Sequence, residues 1–315
     1  MGKKAILPIV VIFLQQILGT IGCALGASDR SDPCEPAIVN QAYPGLATGS
    51  LIFARLADLP EGVVLRAEDL VIMDKDVANQ IATAPEQVRP QLGRNAFFVL
   101  EGMATRRLLY NLANKKFTGK KDMGTANEQQ VIQDYIKDLI ATVQVTDEDL
   151  TAFYNDNKDA LAGVSFEQVK EQLRQVVLQE RQQKVIDDHV RTLGQRIRIE
   201  VSSAWVRSQA ALARDNPVDR ARHSGKPSLV DFGSTGCVPC DMLAPILDRL
   251  REKYKGRLNV VFVHVGQEQV LAARYGISSI PTQIFYDKDG NEVFRHVGFW
   301  PQEQIEQRLG LMGVR

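Results

Sequence analysis

The stretch "DFGSTGCVPCDMLAP", residues 231–245, decides the fold of the C-terminal part of the chain. Cys237 and Cys240 stand there with only Val238 and Pro239 between them. The apolar segment "SLVDFG" before the pair predicts a strand, and "CDMLAPILDRLREKY" after it predicts an amphipathic helix. The pair is therefore predicted to lie at a turn between a strand and the N-terminus of a helix.

A cysteine pair at this spacing can hold a metal, close a small loop or exchange electrons. A structural zinc site needs four ligands, and His223, His264 and His296 supply no second pair at ligand spacing. A disulfide that closes so short a loop removes little entropy from the unfolded chain. A thiol at a helix N-terminus faces unpaired N–H groups and the positive end of the helix dipole, which stabilise its thiolate. The pattern therefore favours redox chemistry at Cys237 and Cys240.

Strand and helix patterns alternate from the pair to the C-terminus. The segments "LNVVFVHV", "TQIFYD" and "EVFRHVG" predict strands, whereas "EQVLAARYG" and "PQEQIEQRL" predict helices. Units of these lengths indicate an α/β sheet.

Residues 204–315 resemble the thioredoxin family. The resemblance rests on "LVDF", "CVPC", "MLAP", "YGISSIPT" and the terminal "VGF", which occur in the order and spacing of the family. It implies an α/β thioredoxin fold, a central mixed sheet flanked by helices, and thiol–disulfide exchange that needs no cofactor and no metal.

The resemblance also implies roles for individual residues. Cys237 would attack the substrate disulfide and Cys240 would resolve the mixed disulfide, so that the two cysteines form the redox-active disulfide. Asp231 matches the buried acid of the family, which would exchange a proton with Cys240, and Pro281 matches its cis-proline. Substrate contacts would come from the residues around the pair and this proline: Val238, Pro239, Ile280, Thr282 and Gly298.

The sequence departs from the family on both sides of the pair. Gly236 replaces the tryptophan that usually precedes the first cysteine, and Asp241 replaces a frequent lysine after the second. An acid near the pair disfavours the thiolate, and the Val-Pro dipeptide lacks the histidine of strongly oxidising relatives. Both features favour a reductase or isomerase, although the direction of electron flow depends on a reduction potential that the sequence does not give.

Four side chains near these motifs have a plainer interpretation. Met242 and Leu243 are predicted to pack within the helix rather than to form a binding surface. His264 and His296 are predicted to lie on strand faces without a role.

The N-terminal residues 1–27 have the pattern of a secretory signal, a basic head followed by the apolar "AILPIVVIFLQQILGTIG". Cleavage near Ala27, lipidation at Cys23 and an uncleaved anchor all stay open, and each predicts export to the periplasm or cell envelope. Membrane contact would come only through such an anchor or lipid. Residues 28–59 are predicted to be an exposed tether that carries Cys34 as an unpaired thiol.

Residues 60–201 are predicted to form a mainly α-helical module. The segment "GVVLRAEDLVIM" predicts a hairpin, and a helix follows with Phe97, Leu100, Ala104 and Leu108 on one face. A long helix begins at Ser165, which forms a capping box with Gln168, and is predicted to stop at Gly194. One face of this helix is predicted to be apolar and carries Phe166, Val169, Leu173, Val176 and Val177.

The polar middle of this long helix, "QERQQK", predicts a segment that crosses another element or lines an open groove. With "VTDEDLTAFYNDNKDAL" before the helix and "RIRIEV" after it, the module resembles the helical part of SurA-type periplasmic chaperones. In that family the helices embrace a client chain and often flank a prolyl isomerase domain. Only a few residues separate Asn157 from Ser165 here, so no room exists for that domain. Client binding and a spacer or dimerisation role both stay open.

The favoured function is an exported thiol–disulfide oxidoreductase that acts on disulfide-containing client proteins and is served by a membrane or soluble thiol donor. The alternative is a chaperone-like assembly factor that uses the thioredoxin fold as a docking platform. The intact pair with Asp231 and Pro281 favours the enzyme, because a platform would not need both thiols. Acidic and basic residues balance at 38 each, which argues against a nucleic-acid partner.

Overall fold

The computed structural model describes residues 37–117, 127–156, 158, 161 and 163–315. They form an N-terminal lobe, residues 37–213, and a C-terminal lobe, residues 215–315. The predicted signal with Cys23, the first part of the predicted tether with Cys34, and Asn157 lie outside the described residues. Among the residues that are described, no helix is long and apolar enough to cross a membrane.

The N-terminal lobe packs helices against a four-stranded sheet. Its elements are α1 (Val39–Ala42), β1 (Arg55–Ala57), β2 (Val63–Ala67), β3 (Leu70–Met73), α2 (Asp74–Ala82), α3 (Arg89–Arg94), α4 (Ala96–Phe117), α5 (Glu128–Ile140), α6 (Asp147–Asp156), α7 (Phe166–Arg196), β4 (Ile199–Ser202) and α8 (Ser203–Ala213). The strand order is β1-β4-β2-β3, with β1 parallel to β4 and the other pairs antiparallel. The predicted hairpin is confirmed as β2 and β3, whereas the sequence did not predict that it joins β1 and β4 in one sheet.

The core of this lobe is built around α4. Phe97, Leu100, Ala104 and Leu108 are buried on one face of α4, which confirms the predicted helix face. They pack with buried side chains of the sheet, α5 and α8 in one cluster. Burial of a leucine or phenylalanine side chain contributes about 2 kcal/mol to folding relative to an exposed one.

The prediction of a tether over residues 28–59 is wrong for its described part. Val39, Leu46, Leu51 and Ala54 are buried in the core of the lobe, and β1 is a strand of its sheet. In the described part of this segment, Pro44, Gly45, Gly49 and Ser50 lie in turns and bends between apolar residues that are buried in the core. A composition typical of loops therefore did not indicate an exposed chain.

The predicted domain boundary at residue 204 is also wrong. Helix α8 spans that boundary, yet Val206, Ala210 and Ala213 are buried in the N-terminal core, and the Trp205 ring lies 6.4 Å from the ring of Phe97. The amphipathic pattern of α8 indicated a helix but not which sheet would cover its apolar face. The C-terminal lobe therefore begins after α8.

Helix α6 packs on the first half of α7 through Leu150, Leu173 and Val177, which form a small separate cluster. Val176 was predicted on the same face but is 43% exposed. One residue corresponds to a rotation of about 100° around a helix, so burial of Val177 turns Val176 away from α6.

Helix α7 begins at the predicted capping box, in which Ser165 and Gln168 cap each other's backbone. The predicted stop at Gly194 is wrong, because α7 continues to Arg196. Gly194 is buried against the loop of residue 50, and a side chain on it would overlap the carbonyl oxygen of Ser50. Glycine is needed here for close backbone packing and not to end the helix.

Replacing Gly194 with alanine is therefore expected to destabilise the protein by about 1–3 kcal/mol, the usual effect of overpacking a close contact. Gly102→Ala is the matched control, since Gly102 lies in α4 with no atom within 4 Å of an added Cβ. That substitution should stabilise the helix by about 0.5–1 kcal/mol. Urea unfolding of both variants tests this, and equal shifts of the two midpoints would contradict the packing role.

The C-terminal lobe has a four-stranded mixed sheet with helices around it. Its elements are α9 (Pro217–Arg222), β5 (Ser228–Gly233), α10 (Val238–Lys253), β6 (Asn259–His264), α11 (Gln269–Arg274), β7 (Thr282–Tyr286), β8 (Glu292–Val297) and α12 (Gln302–Leu311). The strand order is β6-β5-β7-β8, in which β5 is parallel to β6 and the other pairs are antiparallel. One core lies on each face of the sheet, with Leu229 on one side and Val230 on the other. The predicted fold class is confirmed.

Helix α11 and the loop before it form hydrogen bonds with the N-terminal lobe. The Gln91 side chain donates to the carbonyl of Gln267 at 2.8 Å and accepts from the backbone N–H of Val270 at 3.1 Å. The buried Arg274 guanidinium donates to the carbonyl of Gly45 at 2.8 Å. All described residues belong to one compact unit, and these bonds fix the segment that leads towards Pro281.

Candidate active site

The cysteine pair lies at the N-terminus of α10, as predicted. Cys237 is the N-cap residue and Cys240 lies in the first turn, and the two form a disulfide with a Cα–Cα distance of 5.2 Å. Pro239 is in the first turn, where its missing N–H removes no helical hydrogen bond. Cys240 is only 5% exposed, whereas Cys237 is half-buried. Cys237 is therefore the more accessible of the two sulfurs.

Two glycines shape the turn that precedes the pair. Gly236 has φ of +78°, a backbone conformation that side chains disfavour. A Cβ atom on Gly233 would come within 3.4 Å of Cys240 Sγ and within 3.0 Å of the Phe262 ring. The absence of side chains at these two positions lets the end of β5 approach Cys240.

Asp231 lies on β5 two residues before Gly233, on the same face of the sheet, and is 1% exposed. Its Oδ1 accepts a hydrogen bond from Gln283 Nε2 at 2.9 Å, and its Oδ2 has no partner among the described residues. Burial raises the pKa of Asp231 to about 6, and the bond from Gln283 offsets part of that increase. A carboxyl with this pKa can take up and release a proton near neutral pH.

Gln283 was missed in the sequence. It pairs with Asp231 across the β5–β7 ladder and is fully buried. The available signal was one polar residue within the apolar strand "TQIFY", two positions after Pro281. Its contact with Asp231 depends on the register of two strands that are far apart in sequence, which no local pattern specifies.

The loop before β7 holds the predicted proline. The Ile280–Pro281 bond is cis, Pro281 is buried, and its carbonyl accepts from the Gly298 N–H at 2.8 Å. Thr282 was predicted to contact the substrate, but its side chain is buried and its hydroxyl donates to the carbonyl of Ser279 at 2.6 Å. Its hydroxyl holds the loop and is not available to a substrate.

Apolar side chains surround the pair on the outside of the lobe. Val238 is 70% exposed and Met242 is 52% exposed, while Ile280 and Gly298 are half-buried. The prediction that Met242 packs within the helix is wrong, since one turn of α10 directs it outwards, whereas Leu243 is buried as predicted. An exposed apolar surface of this kind is typical of a contact site for another molecule.

Both histidines on the strands have contacts that the sequence did not suggest. His264 is the last residue of β6 and lies beside the turn that precedes Cys237. Its Nε2 lies 3.4 Å from the backbone N of Thr235, and its Nδ1 lies 3.2 Å from that of Gly266. His296 stacks on Trp300 with ring centroids 4.7 Å apart. Within the described part of the chain, no group of three or more His, Cys, Asp or Glu residues could hold a metal ion.

Comparison with known proteins agrees with this geometry. A family model described as "Thioredoxin-like domain" matches residues 215–313, which begins where the structure places the lobe boundary. Proteins named "Thioredoxin" from three Staphylococcus aureus strains are each 42% identical over 81 residues, which is 26% of this chain and 77% of each relative. By its C-terminal lobe and the Cys237–Cys240 pair within it, the chain belongs to the thioredoxin family and is a thiol–disulfide oxidoreductase.

Proposed function

We propose that the protein is an exported reductase or isomerase of protein disulfides. In the reduced enzyme the Cys237 thiolate attacks one sulfur of the substrate disulfide, and the other substrate sulfur leaves as a thiolate. The Cys240 thiolate then attacks the Cys237 sulfur, which releases the second substrate thiolate and leaves the Cys237–Cys240 disulfide. Two electrons thus pass to the substrate, and a thiol donor restores the dithiol.

The observation that carries the proposal is the difference in burial between the two cysteines. The more accessible Cys237 caps α10, where the unpaired N–H groups and the helix dipole favour its anion. Cys240 is buried in α10 beside Gly233, the last residue of β5, and the same strand carries Asp231, whose pKa is raised. Asp231 accepts the proton of Cys240 as that thiol becomes the second nucleophile.

Two features support a polypeptide as the substrate and export as the setting. The exposed Val238 and Met242 offer apolar contacts beside Cys237 that a small disulfide does not need. The signal pattern of residues 1–27, with cleavage near Ala27 or lipidation at Cys23, supports a position in the periplasm or cell envelope. The N-terminal lobe then holds the client or sets the position of the redox lobe.

An insulin reduction assay tests this function with the full chain. With dithiothreitol as donor, the protein should accelerate precipitation of the insulin B chain far above the rate of the donor alone. Cys237→Ser is the control and should give only the donor rate, because the first nucleophile is gone. Turnover of oxidised glutathione without any acceleration on insulin would contradict a protein substrate. Loss of both activities would favour the docking platform.

A further inference from the structure

A cleft of about 1680 Å³ lies between the two lobes. One wall comes from α4, α5, α7 and the loop of residues 44–53, and the other comes from residues 273–278 and 291–295. Of the polar segment "QERQQK" of α7, Gln183 lines the cleft, and Asp187 lines it one turn further along the helix. Both predicted alternatives apply to this segment, because Arg181 pairs with Asp149 of α6 while Gln183 faces the cleft. The redox lobe forms the opposite wall.

The C-terminal wall of the cleft leads directly towards the redox site. It ends at Ser278, three residues before Pro281. The backbone N–H groups of Ser278, Ser279 and Ile280 donate no hydrogen bond to any described residue, and both serines are exposed. Exposed backbone without partners can pair with an extended polypeptide, so this segment connects the cleft to the loop of the cis-proline.

Two arginines of the cleft are available to an anion from outside the protein. Arg106 and Arg191 are exposed, line the cleft and form no ion pair within the described part of the chain. Of the acids that line the cleft, Asp188 pairs with Lys184 and Glu292 pairs with Arg295. Asp187 accepts a hydrogen bond from the neutral amide of Gln183, and the buried Glu101 accepts hydrogen bonds from backbone N–H groups of the loop of residues 44–53. The two arginines can therefore pair with carboxylates brought in from outside.

A buried hydroxyl lies at the same cleft. Tyr286 lines the cleft and is 1% exposed, and its hydroxyl has no hydrogen-bond partner among the described residues. The Arg222 guanidinium lies 4.8 Å from the centre of the Tyr286 ring. Buried polar groups are almost always hydrogen-bonded, so this hydroxyl indicates an acceptor that the protein itself does not supply.

We propose that the cleft binds an extended, acidic segment of the same polypeptide whose disulfide reacts at Cys237. The segment pairs with the backbone of Ser278–Ile280, places carboxylates at Arg106 and Arg191, and supplies an acceptor to Tyr286. The inference rests on the proposed reduction of protein disulfides, and it adds a second contact region and a preference for acidic substrates. A tethered segment raises the effective concentration of the disulfide near Cys237.

Fluorescence anisotropy of the oxidised full chain tests the cleft without turnover. The probe is a fluorescein-labelled peptide of alternating glutamate and serine at low ionic strength, and a lysine–serine peptide is the comparison. The double variant Arg106→Glu with Arg191→Glu should raise the dissociation constant for the glutamate peptide about tenfold. The matched control is Arg107→Glu with Arg207→Glu, which changes the net charge equally at exposed positions outside the cleft and should leave binding unchanged.

Tyr286→Phe removes only the hydroxyl and should weaken binding of the glutamate peptide severalfold, which gives a second measurement if the double variant unfolds. Absence of binding to the wild-type chain, equal binding of the lysine peptide, or equal losses in the two double variants would each overturn the proposal. Insulin reduction by the wild-type chain separates the two proposals. If insulin is reduced while the glutamate peptide does not bind, only the cleft inference fails.

Discussion

Replacing Cys240 with serine is expected to leave the protein covalently joined to its substrate through Cys237. The accessible Cys237 still attacks, but the serine hydroxyl cannot displace the substrate thiolate from the mixed disulfide. Insulin turnover should fall to the rate of the thiol donor alone. The adduct should appear on a non-reducing gel and disappear with dithiothreitol, and mass spectrometry of tryptic peptides should place it at Cys237.

Cys237→Ser is the matched variant, and it should trap little or nothing. Its remaining thiol at the active site, Cys240, is 5% exposed and lies within the first turn of α10. If adducts instead form at Cys240 in this variant at the same rate, the order of attack in the proposed mechanism is wrong. Cys34 supplies an internal check, because adducts at that residue would occur equally in both variants.

The part of the site that lies within one continuous stretch could be predicted from the sequence. Cys237, Cys240 and the strand with Asp231 are close in the chain, so the strand, turn and helix patterns place them together without knowledge of the rest of the fold. Gln283 could not be found in this way, because only the register of β5 with β7 brings it to Asp231.

The same distinction applies to the N-terminal lobe. The hairpin of β2 and β3 has a short connection and was predicted, whereas the pairing of β1 with β4 joins residues at opposite ends of the lobe. Gly194 shows a second reason for error, since a glycine can end a helix or allow close backbone approach, and the sequence pattern is the same. The cleft itself is formed by two lobes, so its walls follow from tertiary contacts such as that of Arg274 with Gly45.

Asp231→Asn is expected to stabilise the folded protein at neutral pH and to have no such effect in acid. The pKa of Asp231 is about 6 in the folded protein against an ordinary value of 3.8, so the folded state binds this proton more tightly than the unfolded state. Below pH 4 the group is protonated in both states. As the pH rises to 6 it ionises first in the unfolded chain, so stability falls, and above pH 6 the full penalty of about 3 kcal/mol is present. Asparagine never ionises and avoids that penalty.

Urea unfolding at pH 4 and pH 8 measures how much the substitution changes the free energy of unfolding at each pH. Asp241→Asn, at an exposed acid beside the pair, is the control and should show almost no such gain in stability at pH 8.

The same substitution is expected to slow disulfide exchange while it stabilises the fold. Ionised Asp231 accepts the proton of Cys240, so wild-type turnover should rise as the pH passes through about 6, the pKa of this carboxyl. The asparagine variant has no base at this position and should lose that rise, with turnover at pH 7 reduced roughly a hundredfold, as for other lost general bases. Asp241→Asn leaves Asp231 in place and should keep the rise of turnover near pH 6. A wild-type profile in Asp231→Asn, together with its higher stability, would show that Asp231 is a buried acid without a part in proton transfer.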